Sequence, residues 1–225
     1  PREVTLFPST TPSDPSDQGG SEEPTPDTGS TILDAPFSKD LAPFTPVNVK
    51  GDQSWKIKHQ SNKTTGEVYD HFAVMSGHDG TTGHANEDWL ISPLLDLTGV
   101  TSATLTLKQA INFADPATIK ECHQLLVSTD YKSDAPSSAT WTPVTIQLPK
   151  GKDWKFIDTT VDLPKSVLGQ ATVRFAFRYT SPDGQTSSWE IKELKLKTVG
   201  GGKVITEGSG STIDSMKNKN YDVAN

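Results

Sequence analysis

Residues 171–180 alternate without a break. Ala171, Val173, Phe175, Phe177 and Tyr179 fall on one face, and Thr172, Arg174, Ala176, Arg178 and Thr180 fall on the other. Successive side chains on a strand point to opposite faces, so this run predicts an antiparallel strand with one face buried and one in water. The same period of two recurs where Ala103, Leu105 and Leu107 alternate with Thr104, Thr106 and Lys108, and more briefly in Leu125 and Val127. Residues 141–146 predict an edge strand, because Pro143 has no amide hydrogen to give to a ladder. Further strands are predicted over 44–50, 54–59, 68–75, 88–91 and 154–163, separated by turn clusters such as Ser133–Ser138 and Ser181-Pro182-Asp183-Gly184. No segment carries a sustained apolar stripe at helical spacing. Many short strands with turn signals between them predict an all-β fold, an antiparallel β-sandwich of jelly-roll type.

The last predicted strand breaks the alternation. Trp189 and Ile191 share one parity, whereas Leu194 and Leu196 share the other. A slip of one residue moves every side chain across the sheet, so a bulge near Lys192-Glu193 is predicted to keep all four inside.

Charge divides the chain into three parts. Residues 1–31 hold six acids and one base, residues 32–198 nineteen acids and seventeen bases, and residues 199–225 three of each. The leader over 8–31 is rich in Pro, Ser, Thr, Asp and Glu, a composition that cannot bury enough apolar surface to repay ordering, and it reads as an extended linker. Residues 2–7 read as a strand remnant of a preceding domain, or as a disordered terminus. The folded domain is predicted over 32–198. Residues 199–225, opening on Val199-Gly200-Gly201-Gly202, read as a second linker or a partly ordered extension. The nearly neutral domain argues against nucleic acid, which needs a basic excess. A membrane span would need roughly 20 apolar residues, and no run approaches that; any membrane attachment is expected through an anchor outside this chain. A lone Cys122 forms no intrachain disulfide. A secretory signal is expected outside this sequence, because residues 1–31 lack a basic segment followed by an apolar one.

The sequence carries no GxSxG, HExxH, CxxC, P-loop or GxGxxG pattern. Its richest polar stretch is Tyr69–Trp89, with His71, His78 and His84 among Asp70, Asp79, Glu87 and Asp88. Imidazoles and carboxylates are zinc ligands, but this spacing on a glycine-rich loop does not enforce a tetrahedral set. Ser76 and His78 are too close in sequence to set a nucleophile against its base. Cys122 and His123, as strand neighbours, would point to opposite faces. Chemistry of binding is better represented. Exposed aromatic rings stack on the apolar faces of sugars, and Trp55, Tyr69 and Trp154 at strand ends, with His71 beside them, are the candidate ligand-contact residues. Trp189 falls in the buried register.

One series of segments resembles a family. Glu87-Asp88-Trp89-Leu90-Ile91-Ser92-Pro93, Val127-Ser128-Thr129-Asp130-Tyr131, Phe175-Ala176-Phe177-Arg178-Tyr179-Thr180-Ser181 and Trp189-Glu190-Ile191 occur in the order seen in the choice-of-anchor J domain, across about 32–198. That family is similar to the cleaved adhesin domains of gingipains and, more remotely, to MAM domains, all jelly rolls, typically exported by Bacteroidota. The resemblance implies a structural Ca²⁺ held by acids near the first and last strands, and calcium demands roughly six to eight oxygen ligands. Asp34, Asp88 and Glu193 are the acids available for it. Lys192 stands where an aspartate is common and cannot ligate a cation. The expected function is therefore a non-catalytic, secreted or cell-surface binding or adhesion module, monomeric, with a glycan or a surface protein as ligand. The alternatives are an accessory domain of a secreted hydrolase whose catalytic part lies elsewhere, or a structural spacer.

Overall fold

The computed structural model describes residues 29–206, apart from Asp134. Residues 8–28 of the expected linker, the remnant over 2–7 and most of the C-terminal extension lie outside the described residues, whereas Ser30 and Thr31, read in sequence as the end of the linker, pair with β12 as the start of the first strand. The strands are β1 (Ser30–Ala35), β2 (Thr45–Lys50), β3 (Lys56–Ser61), β4 (Val68–Ser76), β5 (Asn86–Ile91), β6 (Leu94–Asp96) and β7 (Ser102–Asn112). After them come β8 (His123–Ser128), β9 (Thr142–Val144), β10 (Ile157–Asp162), β11 (Arg174–Ser181), β12 (Ser188–Val199) and β13 (Lys203–Ile205). The α-helix α1 is a single turn, Ile119–Cys122. Cys122 therefore ends a helix, and only His123 belongs to a strand.

Two sheets face each other. One is six-stranded, in the order β10-β7-β12-β4-β3, with β1 also paired to β12; the other is five-stranded, in the order β2-β5-β11-β8-β9. All these pairs are antiparallel. From β4 onward the chain crosses repeatedly between the sheets, giving the sandwich of jelly-roll type that the alternating strands predict. The proline-bearing β9 lies at a sheet edge, where its missing amide costs no ladder bond.

The core lies between the sheets. Phe175, Phe177 and Tyr179 reach in from β11 and meet Trp189 and Ile191 of β12, with Phe37, Leu33 and Leu90 filling around them. The predicted bulge is present: β12 slips against β7 between Lys192 and Lys195, and Glu193 takes a φ of 51°. Trp189, Ile191, Leu194 and Leu196 are all buried as a result. The bulge also marks a change of neighbour. Before it, β12 pairs with β4 through Ser188–Ile191; after it, the same edge takes β1, from Leu194 to Thr198.

Two expectations need correction. The polar face of β11 is not in water. Arg174 and Ala176 are buried there, under a second small cluster formed by Trp89, Ile91, Leu126 and Tyr131, with Val47, Ala139 and Trp141 against it. Two arginines look solvated in sequence, but a guanidinium can lie over an aromatic ring and bury its stem. The folded unit also extends past 198. Gly200, Gly201 and Gly202 all take positive φ, and the turn they make returns β13 onto β6. Three residues are too few to show a period, so this strand is invisible to pattern reading.

Candidate functional site

The outward face of the six-stranded sheet is set by parity. On β4, Ala73 and Met75 point into the core, so Asp70, Phe72, Val74 and Ser76 point out. On β12, Trp189 and Ile191 point in, so Ser188, Glu190 and Lys192 point out. Register aligns Glu190 with Val74, and Val74 with Lys56 of the edge strand β3. The connection before β10 lies over part of this face and packs Phe156 on Phe72, with ring centroids 5.7 Å apart. Lys192 is sandwiched there, its Nζ 4.2 Å from the Phe156 ring and 2.6 Å from Asp70 Oδ2.

Beside this covered part the face opens into a groove of ≈ 600 Å³. Its floor is Lys56, Lys58, Val74, Ser76 and Ser188, and its walls are Trp154, Phe113 and the turns at His78–Gly80 and Gly184–Thr186. A second trough of ≈ 440 Å³ adjoins it, sharing Lys56, Val74, Ser76 and His78 and continuing to Asp52 and Asp79. Two aromatic rings stand over the first groove. Phe113 is 68% exposed and Trp154 43% exposed, and they meet edge to face with centroids 5.7 Å apart at 82°. Lys58 Nζ lies 5.7 Å from the Trp154 ring, a cation–π distance. Phe113 also holds a φ of 60°, a left-handed conformation that is rare for a bulky residue and costs on the order of 1–3 kcal/mol. The Asn112 side chain accepts a 2.9 Å hydrogen bond from the Phe113 amide and helps hold it there. The strained backbone holds the ring largely in water, with Trp154 as its aromatic contact.

Below the floor is Glu190, 1% exposed although it faces outward. Burial pushes its carboxyl up to about 7, opposed by the nearby charges of Lys58 and Lys192, and its Oε2 meets no hydrogen-bond donor. Ser188 donates to Ser76 Oγ at 2.9 Å next to it.

Of the candidate ligand residues, only Trp154 stands at this opening. Trp55 is a core ring: it is 3% exposed and lies 5.8 Å from Trp189, because its side chain turns inward ahead of β3. It reaches the adjoining trough only from below. Tyr69 is 67% exposed, but Tyr69 and His71 share the inward parity of β4, beyond the end of the core, and so face away from the groove. The sequence offered no reason to single out Phe113 or Lys58, which join Trp154 through the fold.

The three acids expected to hold calcium do not converge. Asp34 pairs with Lys195 at 3.3 Å and Glu193 with Lys108 at 2.7 Å, both on the outward face of the six-stranded sheet. Asp88 belongs to the other sheet, on the inward parity of β5, fully buried. Burial raises its carboxyl to about 7, opposed by the neighbouring Asn48 side chain and helped by the charge of Glu87. Two acids satisfied by lysines and one distant acid do not fit a shared ion. Among the described residues no group of three or more His, Cys, Asp or Glu side chains is placed to hold a metal. In the loop after β4, His84 pairs with Asp79 at 2.7 Å, and amides of Thr81 and Thr82 hold the Asp79 carboxyl far below its usual range.

One arrangement resembles catalytic machinery. Ser187 Oγ lies 2.8 Å from His123 Nε2, and His123 Nδ1 lies 2.8 Å from the Ile119 carbonyl oxygen. Both side chains are buried, and burial lowers the imidazole to about 4, too weak a base for neutral pH. The histidine packs edge to face on Trp189 and Tyr179, 5.2 and 5.6 Å away. It pins α1 to the sandwich end.

No protein-family model matches the chain, and no curated protein matches it. Among solved structures it is similar to the K1 cleaved adhesin domain of Lys-gingipain from Porphyromonas gingivalis W83, at 19% identity and a TM-score of 0.49, over 75% of this chain and 98% of that one. The K3 cleaved adhesin domain of the same protein gives 14% identity and a TM-score of 0.48, with the same coverage. TmCBM61, solved with beta-1,4-galactotriose, gives 8% identity and a TM-score of 0.44, over 74% of this chain and 97% of that one. At these scores the likenesses fix neither ligand nor activity. No helix among the described residues is long and apolar enough to cross a membrane.

Proposed function

We propose that this chain is a non-catalytic glycan-binding module, and that the groove on the outward face of the six-stranded sheet is its binding site. The observation that carries this is the exposed Phe113–Trp154 pair, standing edge to face over an open groove floored by hydroxyls and lysines. A sugar ring presents apolar C–H groups on its face and hydroxyls at its rim. The Trp154 ring supplies the surface for the first, and Ser76, Ser188 and Thr186 supply donors and acceptors for the second. Sites of this size, apolar with a few placed polar groups, suit small ligands.

In this reading the domain is exported and displayed at the cell surface, as in choice-of-anchor J domains. The ordered series of segments between Glu87 and Ile191 and the Pro-, Ser- and acid-rich leader, suited to a tether, support it.

A glycan array probed with the chain and with Trp154→Ala tests the reading. Binding is expected for the first and its loss in the second, with the thermal transition unchanged. Silence across the array, or equal binding by the variant, would overturn it.

A further inference from the structure

The outward face of the six-stranded sheet holds two openings of nearly equal size with opposite electrostatics. The opening on the β10 side, of ≈ 610 Å³, is lined by Asp34, Lys108, Asp158, Glu193 and Lys195 and has no aromatic wall. Its lysines are neutralised in place, Lys108 by Glu193 and Lys195 by Asp34. Lys192, between the two openings, is likewise paired with Asp70. The groove under Trp154 differs. Lys56 and Lys58 both line it, no carboxylate does, and neither lysine belongs to any of the ion pairs among the described residues. Acids begin only where the adjoining trough reaches Asp52 and Asp79, and Asp79 is already held by His84. Glu190, the acid beneath, is buried.

Lysines on an edge strand also discourage edge-to-edge aggregation. That role needs charge at the edge but no partner across the face. Here both lysines line a cavity, and the Lys58 ammonium is drawn over the aromatic wall. Two residues apart on one strand, they present positive charge at two points about 6–7 Å apart along the groove.

We infer that the groove takes an anionic glycan, one whose sugar stacks on Trp154 while its carboxylate or sulfate sits between Lys56 and Lys58. This rests on the glycan-binding reading and adds the charge of the ligand to it. The lysines supply charge-assisted hydrogen bonds to the anion, and the ring distinguishes a sugar from a free anion.

The test is calorimetric titration of the chain with uronate oligosaccharides (galacturonate, glucuronate and alginate series), the methyl-esterified galacturonate series, dextran sulfate, dextran, and an oligothymidylate. The expected result is that a uronate or the sulfated glycan binds at least tenfold tighter than its ester or neutral counterpart, and that affinity falls with added salt. Lys56→Gln/Lys58→Gln should lose at least tenfold in affinity with its thermal transition unchanged. Which of the two anions binds separates carboxylate from sulfate recognition. If ester or dextran binds as tightly as the charged form, and Trp154→Ala but not the double lysine variant loses binding, the charge inference fails and the glycan reading stands. If no glycan binds, both fall. Tighter binding of the oligothymidylate than of every glycan would overturn the inference in favour of single-stranded nucleic acid.

Discussion

Both sheets carry tryptophan on their outward faces, and they use it differently. On the five-stranded sheet, Trp89 and Trp141 lie 5.0 Å apart, Tyr131 lies 5.3 Å from Trp141, and Arg178 closes over Trp89 at 5.6 Å. Three polar tips there find partners: Trp89 Nε1 donates to Glu87, Arg178 Nε donates to the same carboxylate, and Trp141 Nε1 donates to the Pro136 carbonyl, each within 3.0 Å. On the six-stranded sheet, Trp154 touches one exposed ring and one lysine, over an open groove. The first arrangement is a second core, which completes the fold without outside help. The second leaves apolar ring surface in water beside two lysines that belong to none of the ion pairs among the described residues. Tryptophan content alone does not separate these uses; what each ring rests on does.

The largest expected effect breaks the closed face. Trp89→Ala removes a buried ring from that cluster and leaves Glu87 and Arg178 without its support, which should cost about 3–5 kcal/mol in denaturant unfolding. A loss as small as that of a surface substitution would mean the outer cluster is not a core.

Next is Gly51, in the loop that leaves β2 of this sheet for β3 of the other. It holds a φ of 90°, and a Cβ there would fall on Asn86 Oδ1. Gly51→Ala should therefore destabilise by more than about 1 kcal/mol, and Asn86→Ala should relieve part of that in the double variant, with the Ala85 carbonyl oxygen still 2.8 Å from the new Cβ. Additive losses would place the clash elsewhere.

A third comparison uses pH, through one buried acid in each sheet. Asp88 and Glu190 are both raised to about 7 when folded, from ordinary values of 3.8 and 4.5. The folded state then holds protons that the unfolded state has released, so their contribution is full below the ordinary values and is lost as pH rises through about 7. His123 runs the other way: lowered to about 4 from 6.5, it favours the folded state above 6.5 and loses that contribution toward acid. Above pH 6.5 unfolded His123 releases its remaining half proton, and the larger opposite change comes from the two acids. Thermal stability should therefore fall between pH 6.5 and 8, and either Asp88→Asn or Glu190→Gln should reduce that slope. A flat or rising profile over this window would show that neither carboxyl is protonated.

The smallest effect on stability is expected at the open face. Trp154→Ala should change unfolding free energy by no more than about 1 kcal/mol, since so much of the ring is already in water. A loss comparable to that of Trp89→Ala would make Trp154 a core residue and remove the basis for calling it a binding ring.

The contrast between the faces is only half legible in sequence. Period-two alternation exposes the inward faces, including the Lys192-Glu193 bulge, because core burial imposes parity residue by residue. Outward faces carry no such rule. Arg174 and Arg178 read as solvated, yet each lies over an aromatic ring, Tyr131 and Trp89, supplied from another strand or loop. Trp55 and Trp154 both stand near strand ends and look alike. One turns in against Trp189 and the other turns out, a choice made by tertiary neighbours far apart in sequence. Phe113 owes its place to a left-handed backbone at the end of β7, which no composition or spacing signals. Asp34, Asp88 and Glu193 stay apart for a related reason, since Asp34 and Glu193 find lysines on neighbouring strands.

The most direct measurement is an amide and indole NMR titration of the chain with the tightest-binding glycan from the array. The account predicts that the Trp154 indole and the amides of Phe113, Lys56 and Lys58 shift to saturation, while the indoles of Trp89 and Trp141 stay in place. Shifts confined to the five-stranded sheet, or to the Tyr69 and His71 end of β4, would contradict it.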